Sequence, residues 1–171
     1  LRGWEVDDRE SDIKRVGRQY VLERFDLTHE EIMQRLHHLA ESVGARMRSQ
    51  GKAARGIYIY AKTLDRQYWH ASRMALSPFY TNKTIYACAR ELFAGAPTGL
   101  REIGMHCYEL QDSAHDQMSL FEDSIVREER MTSAIDDINK RYGDRMLHSA
   151  DTLGTGMYVH TKIPFGSTRY L

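Results

Sequence analysis

Basic residues in the middle of the chain have the chemistry to bind phosphate groups. Residues 13–111 hold 15 Lys and Arg against 9 Asp and Glu, a charge of +6, although the whole chain has a formal net charge of +0. Residues 1–12 (2 against 5) and 112–171 (7 against 10) each carry −3. A basic middle between acidic flanks favours a polyanionic partner, although a single arginine is more often a solvated surface charge. The set comprises Arg15, Arg18, Lys52, Arg55, Lys62, Arg73 and Arg101, extended by Arg66 and Lys83.

A second stretch, QMSLF at residues 117–121, has the chemistry of a peptide that inserts into a pocket. Adjacent large apolar residues in a non-periodic, acidic surrounding cost solubility unless a pocket receives them. Gln117 can hydrogen-bond at the mouth of such a pocket while Leu120 and Phe121 fill it, with Met118 between them. A few such anchors carry most of the energy of an interface, about −8 kcal/mol for micromolar affinity. The alternative is that Leu120 and Phe121 pack back onto the domain.

Paired carboxylates of the kind that hold catalytic metal ions are not expected in this chain. Asp7 and Asp8 lie in a non-periodic linker, and Asp136 and Asp137 lie on the solvated face of a short helix. We therefore predict no catalytic residue here.

Histidine and cysteine spacing also argues against a metal site or a nucleophile. His37 and His38 are adjacent, so a helix points them to different sides, and no His-x-x-x-His pair occurs. Cys88 and Cys107 have no Cys-x-x-Cys spacing and are typical of reduced, buried thiols. No apolar run approaches the length of about 18 residues that a membrane span needs, so no membrane partner is expected.

The elements that must position these residues are predicted from periodicity. Residues 14–22 are rich in β-branched and aromatic types, as in a strand. Thr28 and Glu31 form a capping box at the start of a long helix that Gly51 ends. Its apolar stripe consists of Ile32, Leu36, Leu39, Val43 and Met47.

Two further strands, a helix and a last strand follow. In ARGIYIYAKT, apolar and aromatic residues alternate, which predicts a strand with Tyr58 and Tyr60 on one face. The next predicted strand is DRQYWHASRMAL, and LDRQ is the hairpin connection between the two. A helix is predicted over 83–93. LREIGMHCYEL directs His106 and Tyr108 outward. Because the order is strand, helix, strand, strand, helix, strand, we predict an α+β two-layer sandwich. Its four-stranded sheet carries both helices on one face and leaves the other face bare, and a C-terminal tail with a helix over 127–142 follows.

Four stretches give the chain a family resemblance. The stretches are IKRVGRQYVL, GKAARGIYIY with the helix before it, LREIGMHCYEL and QMSLF. In their order and spacing they resemble the C-terminal part of Y-family translesion DNA polymerases, the DNA polymerase IV and V group. The resemblance covers roughly residues 14–142. It departs from the family pattern at Arg15, in place of a serine, and at Met118, where leucine is commoner.

The resemblance implies a domain organisation and partners. Residues 1–12 correspond to a linker, 13–111 to the little-finger DNA-binding domain, 112–126 to the segment that binds the bacterial sliding clamp, and 127–171 to a tail. The implied DNA partner is a duplex or primer–template, held without sequence readout by the basic set, and the implied location is the cytoplasm, associated with the nucleoid. Catalysis, with its Mg²⁺, would belong to a part of the protein outside this chain, so this chain alone should not polymerise.

Two alternatives stay open. One is a non-catalytic adaptor of the same family. The other is an RNA-binding α+β module, which would need aromatic residues on two neighbouring central strands.

Overall fold

The computed structural model describes residues 14–113 and 123–155, with side chains from residue 127 onward in the second range. Eight elements follow one another: β1 (Arg15–Val21), α1 (His29–Ser49), β2 (Lys52–Thr63), β3 (Tyr68–Phe79), α2 (Asn82–Phe93), β4 (Leu100–Asp112), α3 (Asp123–Tyr142) and a short 3-10 turn (Ala150–Thr152). The predicted α+β order is therefore confirmed. The predicted linker over 1–12 and the QMSLF segment lie outside the described residues.

The four strands form one antiparallel sheet in the order β1-β4-β2-β3. β4 and β2 are the central strands, and β1 and β3 are the edges. Strand alternation sends Ile57 and Ile59 of β2 and Ile103 and Met105 of β4 to the same side, where each is at most 1% exposed. This side meets α1 and α2 and holds the core, whereas no helix among the described residues covers the other side, which we call the open face.

Helix α1 begins and ends as its sequence predicts. The Thr28 side chain accepts a hydrogen bond from the Glu31 amide, and the Glu31 carboxylate accepts one from the Thr28 amide. Gly51, with φ +63°, follows the last turn and takes a conformation that other residues adopt at a cost. The apolar stripe of α1 lies in the core, except for Ile32, which is half-buried.

The tail packs on the helical layer through polar groups. Arg48 of α1 donates to both oxygens of Asp136 of α3, at 2.5 and 2.8 Å, and Thr81 donates to Glu128 at 2.6 Å. The apolar stripe of α3 stays outside the core, with Met131 and Tyr142 57% and 63% exposed. Polar contacts therefore dock this helix.

Beyond α3, the chain folds along α1 and buries a carboxylate. Glu41 of α1 accepts hydrogen bonds from the Arg145 guanidinium (2.6 Å), the Ser149 amide (2.9 Å) and the Thr152 hydroxyl (3.2 Å). One turn earlier, His38 Nδ1 lies 2.9 Å from the Thr155 hydroxyl. Residues 145–155 thus form a strap, held to α1 by side chains that periodicity alone does not identify as partners.

Candidate nucleic-acid interface

The open face is a four-by-four array set by strand register. Rows that run across β1, β4, β2 and β3 bring together residues far apart in the chain, such as Gln19, Gly104, Tyr60 and His70. The residues are exposed or half-buried, apart from Gly56 and Gly104, which are buried. The sixteen positions are Arg15, Gly17, Gln19 and Val21 from β1; Tyr108, His106, Gly104 and Glu102 from β4; Gly56, Tyr58, Tyr60 and Lys62 from β2; and Met74, Ser72, His70 and Tyr68 from β3.

Aromatic rings cover the centre of this face. Tyr58 stacks on its neighbour His106 of β4 (ring centroids 4.6 Å apart) and, diagonally, on His70 of β3 (5.3 Å), so stacked rings cross three strands. Tyr60 stacks on Tyr68 at 5.6 Å. The aromatic residues of β2 and β4 therefore lie on neighbouring central strands.

The hydroxyl groups of these tyrosines form hydrogen bonds across strands. The Tyr58 and Tyr68 hydroxyls lie 2.9 Å apart, and the Tyr60 hydroxyl donates to Gln19 (2.7 Å) and to Glu102 (3.1 Å). Burial, followed by the hydrogen bond to Tyr68, raises the pKa of Tyr58 to about 12. The pKa of Tyr60 is also raised, first by burial and then by Glu102. Both phenols are therefore protonated donors at neutral pH.

His106, the histidine that stacks on Tyr58, is neutral at pH 7. Burial and then the nearby positive charge of Arg15 lower the pKa of His106 from its usual 6.5. The lysine of the face is ion-paired, because Lys62 Nζ lies 2.9 Å from the Glu102 carboxylate. Formal charges on the face thus sum to about +1, from Arg15, Lys62 and Glu102.

The basic residues predicted from the sequence do not all lie on this face. Only Arg15 and Lys62 occupy positions of the array. Arg18 and Arg73 each stand one residue out of phase with the array and point to the helical side. Arg73 pairs there with Glu91 of α2 at 2.5 Å.

The remaining basic residues lie at strand ends, bends and loops. Lys52 begins β2 and pairs with Asp112 at the end of β4 at 2.8 Å. Arg55 is exposed at the irregularity between β2 and β3, with Nη2 3.4 Å from the carbonyl oxygen of Ala75. Arg101 is exposed near the start of β4. Outside the face, Arg66 lies in the β2–β3 connection and Lys83 pairs with Glu128.

Sequence reasoning missed Gln19, Tyr68 and His70 as members of the face. The alternation of YWHAS carried the signal for Tyr68 and His70, since Trp69 packs against the core and half-buried Ala71 lies opposite Ile59 on the same side. The clamp-binding residues Gln117, Met118, Leu120 and Phe121 lie outside the described residues.

The histidine and cysteine predictions can be compared with the described side chains. His37 stacks on Tyr86 of α2 with centroids 3.9 Å apart. Cys107 is a buried free thiol whose pKa is raised by burial to about 12, and Cys88 is also free. Within residues 14–113 and 127–155, no three His, Cys, Asp or Glu side chains cluster in a way that would hold a metal ion. No helix in the same residues is long and apolar enough to span a bilayer.

An antiparallel sheet with helices on one side, and with an aromatic face that no described helix covers, defines a two-layer α+β domain. The chain belongs to the impB/mucB/samB family C-terminal domain, whose sequence profile matches residues 13–120. This match confirms the resemblance to the C-terminal part of Y-family DNA polymerases.

Individual relatives agree with this assignment. The chain is 33% identical over 151 residues to DNA polymerase IV of Moorella thermoacetica, covering 85% of this chain and 37% of the relative. It is 24% identical over 143 residues to DNA polymerase IV of Oceanobacillus iheyensis (81% and 34%). It is also 26% identical over 136 residues to the putative UV-damage repair protein UvrX of Bacillus subtilis (77% and 33%). The chain thus spans about a third of the length of these relatives.

Similarity to solved structures is weaker. A Dbh ternary complex matches with a TM-score of 0.48 and 14% identity over 55% of this chain and 28% of that one. DinB from Sulfolobus solfataricus matches with a TM-score of 0.44 and 15% identity over the same shares.

Proposed function

We propose that the open face binds the sugar–phosphate backbone of duplex DNA without reading its sequence, as the DNA-holding domain of a translesion polymerase. The observation that carries this proposal is an array of donors that no described helix covers, in a chain of this family: Arg15 and Lys62 with the phenols and imidazoles between them. Phosphate contacts fix the position of a protein on DNA and carry no base information. Such contacts suit an enzyme that acts on damaged template of any sequence.

The placement of charge sets the expected strength of this interaction. With Arg15, Lys62 and the exposed Arg55 and Arg101 near the face, about three or four phosphates would be neutralised. The logarithm of the binding constant should then fall with the logarithm of salt concentration with a slope of about −3. Hydrogen bonds from tyrosine hydroxyls would supply the part of the affinity that salt does not screen.

The test is a fluorescence anisotropy titration of the chain with two labelled duplexes of unrelated sequence, repeated at several salt concentrations. Equal affinities and a negative salt slope are expected. Strong preference for one sequence, or no binding at low salt, would contradict the proposal.

We propose further that QMSLF tethers the protein to a bacterial sliding clamp. Support comes from the residues themselves and from their place in the sequence, between β4 and α3. Tethering raises the effective concentration of the domain at the primer end. A calorimetric titration against a purified clamp should give micromolar binding that a Gln117→Ala, Leu120→Ala, Phe121→Ala variant loses. Equal binding by both forms would refute this part.

The activity of the whole protein belongs to the same proposal. Polymerisation would require carboxylates that hold Mg²⁺ in a part outside this chain, and DNA binding would place the protein at the nucleoid. A primer-extension assay of a protein that contains this chain and its upstream region tests the activity.

The RNA-binding alternative is favoured by one observation, the aromatic residues on the two central strands. Bases of a single strand can stack on such rings. Competition between single-stranded RNA and duplex DNA for the chain distinguishes the two functions, because RNA should displace duplex only if base stacking dominates.

A further inference from the structure

Three arginines surround a groove at the free edge of β1. The groove has a volume of about 490 Å³ and is lined by residues from both sides of the sheet. Arg15 and His106 lie on the open face, whereas Arg18 and Gln50 lie on the helical side, together with exposed Arg46 of α1. Gly17, which has no side chain, lines the groove between Arg15 and Arg18, so the groove bends around the edge strand there.

These guanidinium groups are not neutralised within the described residues. None of Arg15, Arg18 and Arg46 makes a side-chain hydrogen bond or ion pair there. The charged groups that influence Arg18 are Arg46, Asp144 and Arg145, and Arg145 is itself paired with Glu41 at 2.6 Å. With Arg145 held by Glu41, the charges left beside the Arg18 guanidinium are the positive Arg46 and the negative Asp144.

The half-buried position of Arg18 makes its positive charge costly. Burial, and then repulsion from Arg46, lower the pKa of Arg18 from its usual value. An anion in the groove would relieve both effects, since it restores a partner to the buried charge and screens the two arginines from each other.

We propose that this groove binds the phosphates of a single nucleic-acid strand that continues from the duplex on the open face. The inference depends on the proposed DNA-binding function and adds a second site to it. A duplex is too wide for a groove of this volume, whereas the backbone of one strand can follow it around Gly17. Guanidinium groups bind phosphates through paired, charge-assisted hydrogen bonds, and basic grooves beside aromatic rings are typical of single-strand sites.

The test compares a blunt duplex with the same duplex carrying a single-stranded thymidine overhang. The wild-type chain should bind the overhang form more tightly, by about five- to tenfold, the effect of one or two added charge-assisted contacts. Arg46→Gln should remove this advantage while blunt-duplex affinity stays within about twofold, because Arg46 lies away from the open face. Arg90→Gln, a matched change at an exposed arginine of α2, should leave both affinities unchanged.

The possible outcomes separate the two proposals. If the wild-type chain binds blunt duplex and shows no preference for the overhang, the groove inference is overturned and the open-face function stands. The same holds if Arg46→Gln weakens both forms equally. If the chain binds neither form, both proposals fail. Circular dichroism of each variant verifies folding, which an exposed Arg46 side chain should not affect.

Discussion

The ring of Tyr60 lies over Gly104, its direct partner on the neighbouring central strand. A Cβ atom at position 104 would stand 2.2 Å from Cε1 of Tyr60, closer than any real contact. The reverse arrangement occurs two rows along the sheet, where Tyr108 of β4 lies over Gly56 of β2 with a corresponding distance of 2.4 Å. The two glycines let two rings lie against the open face and so shape its surface.

Gly104→Ala should therefore disturb the open face as well as stability. The added methyl group must displace the Tyr60 ring and break its hydrogen bonds to Gln19 and Glu102, at a cost of about 1–3 kcal/mol. Urea denaturation measures the loss, and duplex affinity should fall in parallel. The double variant Gly104→Ala, Tyr60→Ala should recover part of the stability, and its failure to do so would contradict the steric explanation.

Substitution of Arg15 and Arg73 should separate the open face from the helical side. Arg15→Gln removes an uncompensated charge from the face, so duplex affinity should fall and the salt slope should become shallower by about 0.9. Arg73→Gln should leave both unchanged, because this side chain points to α2 and pairs with Glu91. Equal losses in the two variants, measured by anisotropy, would mean that DNA does not bind on the open face.

Glu41→Ala should detach the strap formed by residues 145–155. The change removes the acceptor of three hydrogen bonds and leaves Arg145 without its carboxylate, a loss of about 2–3 kcal/mol. Hydrogen exchange at Thr152 and Thr155 should accelerate more than exchange in β2. The control Glu91→Ala breaks an exposed pair and should cost less than about 1 kcal/mol. Unchanged exchange in the strap of the Glu41 variant would contradict this assignment.

Acid should loosen the contact between α1 and the strap. Burial, with the positive charges of Arg145 and Arg18, lowers the pKa of His38 to about 3, and burial also lowers that of His37. The unfolded chain, with a histidine pKa of about 6.5, then binds more protons than the folded chain below that pH. The stability is therefore present above about pH 6.5 and is lost as the pH falls toward 3, by about 2 kcal/mol at pH 5 from His38.

Urea denaturation at a series of pH values measures this dependence. His38→Gln keeps a hydrogen-bonding group near Thr155 and cannot titrate, so the variant should lose less stability than the wild type between pH 7 and pH 5. Parallel curves for the two proteins would show that His38 is not the group responsible.

Much of the fold follows from local patterns in the sequence. The bounds of α1 follow from the capping box at Thr28 and the glycine at 51, and those of β2 follow from the two-residue alternation of GIYIYA, each to within a few residues. Helix α3 begins at Asp123, earlier than the predicted start at 127. Alternation in β1 likewise places Arg18 on the helical side, because Val16 and Tyr20, two positions away on either side, are core residues. Local patterns succeed here because hydrogen bonding within a turn and side-chain alternation depend on adjacent residues.

The sequence by itself thus determined the elements, the class of fold and the aromatic content of one sheet face. Tertiary structure alone decided which strands are neighbours, and so brought Tyr60 to Gly104, Arg18 to Arg46 and Glu41 to Thr152. These partners are separated by tens of residues or more, and their meeting depends on how whole elements dock to bury the core. The periodicity of a single element carries no information about its partner, since many dockings bury the same apolar stripe.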